Sequence, residues 1–185
     1  TAQLIDAISG HHLWAESYDR KMVDIFELQD EITMKIISEL QGKLSSADLA
    51  RPSSTKTNSL SAYEKYLKGY KHFYGRSLKD TLEARKLAKE AIELDPDYGA
   101  AYLLMARTFL DEIYMHRVES RDELLSQAKE QIKKSIQFIG EKPAHRIWSS
   151  YYLLEKQPGK AIDEAQKAID AAPSSAAAYF NYGHV

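Results

Sequence analysis

The most regular pattern in the chain is a stripe of small side chains that occurs twice with identical spacing. The two copies are Ala84-x3-Ala88-x2-Ala91-x4-Pro96 and Ala161-x3-Ala165-x2-Ala168-x4-Pro173. Because residues three and four apart share one face of a helix, each copy predicts a helix that a neighbouring helix can approach closely. Proline does not continue a helix, so it marks the end of each unit. A weaker copy lies between them, at Ala128, Ile132 and Ser135, with Gly140 in place of the proline.

Aromatic residues at helical spacing flank each stripe and predict a partner helix for it. We expect seven of these rings to pack between helices: Tyr63, Tyr66, Tyr102, Phe109, Trp148, Tyr152 and Tyr179. The predicted helices cover about 60–75, 80–94, 98–116, 120–139, 144–156, 159–172 and 175–185. The segments Asp80–Glu83 and Ser120–Glu123 match the capping-box pattern, which predicts Asp80 and Ser120 as helix caps.

These helix pairs resemble tetratricopeptide (TPR) repeats, in which the second helix carries the small residues and the first carries the aromatic ones. The match assigns repeats to 60–98, 99–141 and 142–175, and a half repeat to 176–185. Ala161 follows Ala84 by 77 residues, nine more than two repeats of about 34. The middle unit therefore needs long helices or a long turn near 114–122. The resemblance implies a mainly α fold, a TPR-like α-solenoid of antiparallel helix pairs whose first helices line a concave groove.

The N-terminal quarter has a different pattern. Residues 1–20 alternate apolar and polar positions and predict a β-hairpin with its turn at Ser9-Gly10. One face of its second strand is expected to carry His12, Trp14, Glu16 and Tyr18. An apolar stripe at helical spacing predicts a helix over 24–44 that covers the hairpin. Residues 1–44 are thus expected to form a small α+β unit, with the polar segment 45–59 as a linker.

This N-terminal part resembles the end of the TolB-type amino-terminal-like domain, which precedes TPR repeats in many bacterial class III adenylate/guanylate cyclase-like proteins. The residues that carry the resemblance are Gln3-Leu4-Ile5-Asp6, Gly10, Leu13-Trp14, Tyr18-Asp19-Arg20, Asp24-Ile25-Phe26 and Gln29-Asp30-Glu31-Ile32. The class III catalytic domain itself is not matched. The resemblance therefore implies a regulatory region of such a protein. The same arrangement also follows DNA-binding winged-helix domains, so the sensor region of a transcription regulator stays open.

Composition narrows the functions open to the chain. Its 185 residues have a formal net charge of −2, which gives no general attraction to nucleic acid or to an anionic membrane. Cysteine is absent, and no apolar run is long enough to cross a bilayer. His11 and His12 are adjacent on a predicted strand and point to opposite faces, so they predict no metal site. No phosphate-binding or hydrolase motif occurs, and we expect neither catalysis nor a cofactor in this chain.

The predicted groove carries the candidate binding residues. By the resemblance, its positions on the first helices are Lys68, Lys71, Arg107, Asp111, Arg146 and Ser150. The basic residues among them would form a stripe able to hold an acidic peptide. A solvated charged face is an equally good interpretation. The Lys/Asn clamp of chaperone-tail TPR domains is not matched, because the first helices contain almost no Asn, so a chaperone carboxylate is not the expected ligand.

The sequence favours a non-catalytic protein–protein interaction and regulatory region of a larger bacterial signalling protein, with an adenylate/guanylate cyclase-like parent as the first candidate. Since the chain begins within a predicted strand and ends on a half repeat, we expect it to be part of a longer protein. A homodimerisation scaffold stays open, because strand edges and an uncapped terminal repeat pair readily with a second copy. The cytoplasm is the favoured compartment, with the periplasm open if a membrane anchor lies upstream.

Overall fold

The structure, a computed structural model, describes most of the chain in two compact units. The described residues are 1–6, 9–19, 28–29, 31–32, 35–36, 57–75, 77–116 and 118–185. The units comprise residues 1–51 and 52–185, and each is described by itself. The helix predicted over 24–44 lies largely outside the described residues, although its six described positions are helical. The predicted linker is described only from Thr57 onward, so the proposed domain boundaries stay a prediction.

An antiparallel hairpin forms the described strands of the first unit. Strand β1 (Ala2–Ile5) pairs with strand β2 (His12–Glu16). The carboxylate of Glu16 accepts hydrogen bonds from the Trp14 indole N–H at 3.2 Å and from the Tyr18 hydroxyl at 3.0 Å. These three side chains therefore share one face, as the alternation of the sequence predicts.

The second unit is an array of helices. In its described residues seven α-helices follow one another: α1 Leu60–Phe73, α2 Leu78–Leu94, α3 Gly99–Met115, α4 Arg121–Ile139, α5 His145–Leu154, α6 Pro158–Ala171 and α7 Ala176–Tyr182. Connections of three to five residues join them, including a single 3-10 turn before α5. Connections this short make consecutive helices pack antiparallel. The fold is therefore mainly helical and solenoid-like, with a short two-stranded sheet, as predicted. No helix in the described residues is long and apolar enough to span a membrane.

The predicted small-residue stripes lie in the contacts between helices. Ala84, Ala88 and Ala91 of α2 are fully buried, and so are Ala161 and Ala165 of α6. The weaker copy in α4 is fully buried at Ala128, Ile132 and Ser135. Because only a methyl group separates the backbones at the alanine positions, neighbouring helices pack closely, and a larger side chain would overfill the contact.

The start of α2 differs from the predicted capping box. The helix begins at Leu78 and its cap is Ser77, whose hydroxyl accepts the backbone N–H of Asp80 at 3.1 Å. The prediction of Asp80 as the cap was wrong, because Asp80 lies in the first turn and its carboxylate accepts the Ser77 hydroxyl at 2.5 Å. Two capping patterns overlap here, one that starts at Ser77 and one that starts at Asp80. The structure uses the pattern at Ser77, so the helix begins earlier than predicted. Ser120 occupies the cap position of α4 as predicted, without a side-chain capping hydrogen bond.

Long helices account for the additional residues of the middle predicted repeat, 99–141. Helix α3 has 17 residues and α4 has 19, whereas the connection between them covers only 116–120. The longer helices enclose a core cluster together with α5, in which Phe109, Ile132 and Tyr151 are almost fully buried. Of the two explanations that the sequence left open, long helices are therefore the correct one.

Arg85 of α2 makes the main polar connection to α3. Its Nε donates to the hydroxyl of Thr108 at 3.0 Å, and its Nη2 donates to the Glu112 carboxylate at 2.5 Å. The guanidinium carbon also lies 4.0 Å from the centroid of the Phe109 ring. These directional contacts determine which face of α3 is turned toward α2.

A comparable connection joins α5 to α6. Nδ1 of His145 lies 2.8 Å from the Glu164 carboxylate, and both side chains are largely buried. Lys167 donates to the same carboxylate at 2.7 Å. Burial opposes the charge of Glu164, but the hydrogen bonds from Lys167 and His145 outweigh it and hold the pKa of this carboxyl below its usual range.

Candidate binding groove

A cavity of about 530 Å³ lies on one side of the helical array. Its lining residues are Phe73, Tyr74, Arg107, Leu110, Asp111, Tyr114, Arg146, Ile147, Ser150, Leu153, Leu154, Ala176, Ala177, Phe180, Asn181 and His184. All of them belong to α1, α3, α5 and α7, or closely follow α1 or α7, and none of the described lining residues belongs to α2, α4 or α6. The odd-numbered helices therefore form one layer, and the cavity is a groove across that layer.

Arg107 of α3 lies against aromatic rings of α1. Its guanidinium carbon is 4.2 Å from the ring centroid of Phe73 and 5.3 Å from that of Tyr70. The hydroxyls of Tyr70 and Tyr74 are 3.2 Å apart, and their ring centroids are 5.2 Å apart. Because aromatic faces attract a cation and restrict its motion, this arrangement holds the Arg107 guanidinium at the groove wall.

Arg146 of α5 supplies the second guanidinium of the groove. The residue is half-buried. Burial lowers the pKa of this guanidinium, and the nearby positive charge of Arg107 lowers it further. Arginine nevertheless stays protonated at neutral pH. Among the described residues, no ion pair includes Arg107 or Arg146. The groove therefore holds two positive charges that no carboxylate of the described chain pairs with directly.

Asp111 is the one carboxylate among the described lining residues. It follows Arg107 by one turn of α3, and its Oδ2 accepts a hydrogen bond from the Thr81 hydroxyl of α2 at 2.9 Å. This bond directs the carboxylate toward α2. The two guanidinium groups and the one carboxylate together carry a formal net charge of +1.

The groove is also polar where α7 meets α3 and α5. Nδ2 of Asn181 donates to the Ser150 hydroxyl at 3.2 Å, and the Tyr114 hydroxyl lies 2.7 Å from Nε2 of His184. Oδ1 of Asn181 is buried and has no hydrogen-bond partner among the described residues. Since buried polar atoms are normally paired, this oxygen is a candidate acceptor for a donor on a ligand.

The charge of Arg107 also acts on the neighbouring tyrosines. Burial raises the pKa of Tyr66 to about 12. Burial opposes ionisation of Tyr70 as well, but hydrogen bonds from Tyr74 and Arg107, together with the guanidinium charge, bring the pKa of Tyr70 below its usual range. Arg107 acts to lower the pKa of both tyrosines, but burial outweighs its effect at Tyr66.

The groove contains most, though not all, of the residues that the sequence predicts for it. It includes Arg107, Asp111, Arg146 and Ser150. Lys68 and Lys71 are exposed and do not line it. They precede Phe73 by five and two residues, which places them about 140° and 160° away from Phe73 around the helix. The groove positions taken from the resemblance therefore do not hold for α1, and a peptide-binding role of the other four residues stays a prediction.

Sequence reasoning missed the aromatic walls of the groove. These are Phe73, Tyr74, Tyr114 and Phe180. Tyr179, predicted to be in the core, is 53% exposed, whereas Tyr98 and Tyr151 are almost fully buried and were not in the predicted set. A usable signal was the run of aromatic residues at the end of α1, which exceeds what packing against a single partner helix requires.

Comparison with known proteins finds sequence similarity to a protein described as an adenylate cyclase. A protein of Rhizobium meliloti (strain 1021) described as putative adenylate cyclase 3 is 29% identical to the chain over 169 residues. The match covers 90% of this chain and 28% of that relative, so the chain spans less than a third of the relative's length. No protein-family model matches the chain. The similarity supports the predicted link to adenylate cyclase-like proteins, while the TPR and TolB-type assignments stay predictions.

Proposed function

We propose that the helical array is a TPR-like interaction region that regulates an adenylate cyclase-like protein by binding a protein or peptide partner in the groove. The main support for this proposal is the set of helices that line the groove. All four odd-numbered helices contribute to it, and no described residue of an even-numbered helix does. Stacked helix pairs present an extended binding surface in this way, with one helix of each pair in the inner layer.

We also infer that this chain is non-catalytic. The groove serine, Ser150, lies beside the Asn181 amide at 3.2 Å, and an amide is not a general base. The carboxylate of Asp111 is bonded to Thr81. Neither Ser150 nor Asp111 therefore forms a nucleophile–base pair through these bonds. The chain spans 28% of the cyclase-like relative, which leaves room in a protein of that kind for a separate catalytic domain.

A groove-filling variant tests the proposal. Ala177 is exposed and lines the groove, so Ala177→Trp should occupy the groove without disturbing the core. Ala172→Trp is the matched control, because Ala172 is exposed and does not line the groove. A library of random displayed peptides is selected against the full 185-residue chain, and the affinity of each selected peptide is measured for all three proteins.

We expect the selected peptides to bind Ala177→Trp at least about tenfold more weakly than the unaltered chain, a loss of about 1.4 kcal/mol, and to bind the control equally well. Peptides insensitive to Ala177→Trp, or no selected peptide at all, would refute the groove function. Incubation of the chain with ATP or GTP is a separate test, in which formation of a cyclic nucleotide would refute the non-catalytic assignment.

Self-association is a second candidate function, favoured by the surface of α7. Tyr179, Phe180 and Tyr182 are 53%, 75% and 42% exposed. A cluster of exposed aromatic rings is a common feature of protein interfaces. Light scattering coupled to size exclusion over a concentration series would detect a dimer, and a monomeric mass at every concentration would remove this candidate.

A further inference from the structure

We propose that the groove binds its partner through one acidic side chain, whose carboxylate lies between Arg107 and Arg146. This inference rests on the proposed function and extends it, because it specifies the chemistry of the partner at the same groove. The partner is thus a peptide segment with an Asp or Glu as its anchor.

The two arginines are placed so that one ligand can contact both of them. Both line the same groove although they come from different helices, α3 and α5. Arg107 packs over the rings of Phe73 and Tyr70, at 4.2 and 5.3 Å from their centroids. A guanidinium that lies against a ring keeps N–H groups at its edge for other partners, and this edge matches the two oxygens of a carboxylate.

The charges that line the groove also favour a single bound anion. Among the described residues neither arginine has an ion-pair partner, and each raises the positive potential at the other. A bound anion would relieve this repulsion. Since Asp111 leaves the lining with a net charge of +1, a single negative charge completes the balance. A doubly charged phosphate would exceed this balance and would be repelled by Asp111 more strongly than a carboxylate, so the charges favour a carboxylate.

Apolar side chains lie in the same groove as the arginines. Leu110, Ile147, Leu153 and Phe180 line the same groove. A free carboxylate-bearing metabolite would leave this surface uncovered. A peptide covers it when apolar side chains flank the acidic residue, and burial of that apolar area adds to the affinity. The expected ligand is therefore an acidic residue in an apolar context.

The test begins with the peptides selected against the full chain. We expect the selected sequences to share an Asp or Glu beside apolar residues. Replacing that Glu by Gln in the peptide should weaken binding to the unaltered chain by about tenfold or more, as when one partner of a desolvated charge pair is removed. This measurement uses no altered protein, so it does not depend on how any variant folds.

Variants of the chain then locate the carboxylate. In Arg146→Gln and in Arg107→Gln, the difference in affinity between the acidic and the neutral peptide should shrink, because one of the two positive charges that bind the carboxylate is gone. Arg146→Lys should restore part of the difference, since it keeps the charge without the planar fork. The double variant Lys68→Gln/Lys71→Gln is the matched control. It removes two exposed positive charges outside the groove and should leave the discrimination unchanged.

The outcomes separate this inference from the proposed function. Selected peptides without an acidic residue that still lose affinity in Ala177→Trp would overturn the carboxylate site and leave the groove function standing. Discrimination between the acidic and the neutral peptide that is undiminished in both arginine-to-glutamine variants would do the same. If a phosphoserine peptide bound more tightly than the Glu peptide, the inference that the ligand's anchoring group carries one negative charge would be overturned. Peptides insensitive to Ala177→Trp would refute the proposed function itself.

Discussion

Replacing Arg85 by alanine should destabilise the array far more than replacing its neighbour Lys86. The Arg85 side chain is 19% exposed and that of its partner Glu112 is 18% exposed, so both charges are largely desolvated. Lys86 is 64% exposed and lies 3.5 Å from Glu83 and 3.9 Å from Glu90 on its own helix. The two substitutions therefore remove the same kind of charge at adjacent positions of α2, in contrasting surroundings.

The magnitude follows from the contacts that are lost. A hydrogen bond between charged groups contributes about 1.5–3 kcal/mol, and the bonds from Arg85 to the Thr108 hydroxyl and carbonyl contribute roughly 1 kcal/mol more. Packing of the guanidinium over the Phe109 ring adds about 0.5–1 kcal/mol. Water can reach the vacated site and compensates part of the loss. We expect Arg85→Ala to lower the free energy of unfolding by about 3 kcal/mol and Lys86→Ala by less than about 0.5 kcal/mol.

Urea unfolding of the full chain, followed by circular dichroism, measures both values. Because helical arrays can unfold in segments, hydrogen exchange of the α2 and α3 amides should accompany it. A double-mutant cycle with Glu112→Ala isolates the pair, and we expect a coupling energy of about 1–2 kcal/mol. Equal effects of Arg85→Ala and Lys86→Ala would show that the contact is solvated and that the reasoning is wrong.

Three further predictions concern the helix contacts. Gly99→Ala should lower the free energy of unfolding by about 1 kcal/mol, because the added Cβ would lie 2.6 Å from Cγ2 of Ile139. Gly159→Ala should raise it by about 0.5 kcal/mol, since its Cβ meets nothing within 4 Å in the described residues and the helix gains a better residue; thermal unfolding compares the two variants. Because the pKa of Glu164 is lower in the folded chain, this carboxyl is protonated in the unfolded chain but ionised in the folded chain at pH values between the two pKa values. The stability it contributes is present above about pH 4.3 and is lost as the pH falls through the folded-state pKa. Urea unfolding at a series of pH values should show a shallower acid decline for Glu164→Gln, and an identical decline would contradict the assignment.

The helical layers could be predicted from sequence because their signal is redundant. Ala84, Ala88 and Ala91 recur in register at 161–168, and close packing between helices is the simplest physical reason for such a repeat. Helix ends were accurate to a few residues for the same reason, since a proline or glycine follows each stripe. A repeated small-residue pattern therefore constrains both the fold and the positions of its breaks.

Single side chains were harder to place, because their position depends on small rotations and on competing local contacts. Asp80 fits a capping box, but Ser77 offers the same pattern three residues earlier, and the tertiary structure uses the longer helix. Lys68 and Lys71 lie on the side of α1 that faces away from Phe73, and only Phe73 and the following Tyr74 line the groove. Such distinctions depend on how each helix is rotated against its neighbours, which periodicity alone does not encode.

The rotation of α3 about its own axis determines both its contacts with α2 and the charges that it presents to the groove. Thr108 and Glu112 bind Arg85 of α2, and each follows a groove residue, Arg107 or Asp111, by one position. One residue corresponds to about 100° around a helix, so fixing the first pair toward α2 turns the second pair toward the groove. A rotation of α3 by one position would break the Arg85 contacts and remove Arg107 from the aromatic rings of α1. The contacts that hold α2 to α3 therefore also determine the positive charge that the groove presents.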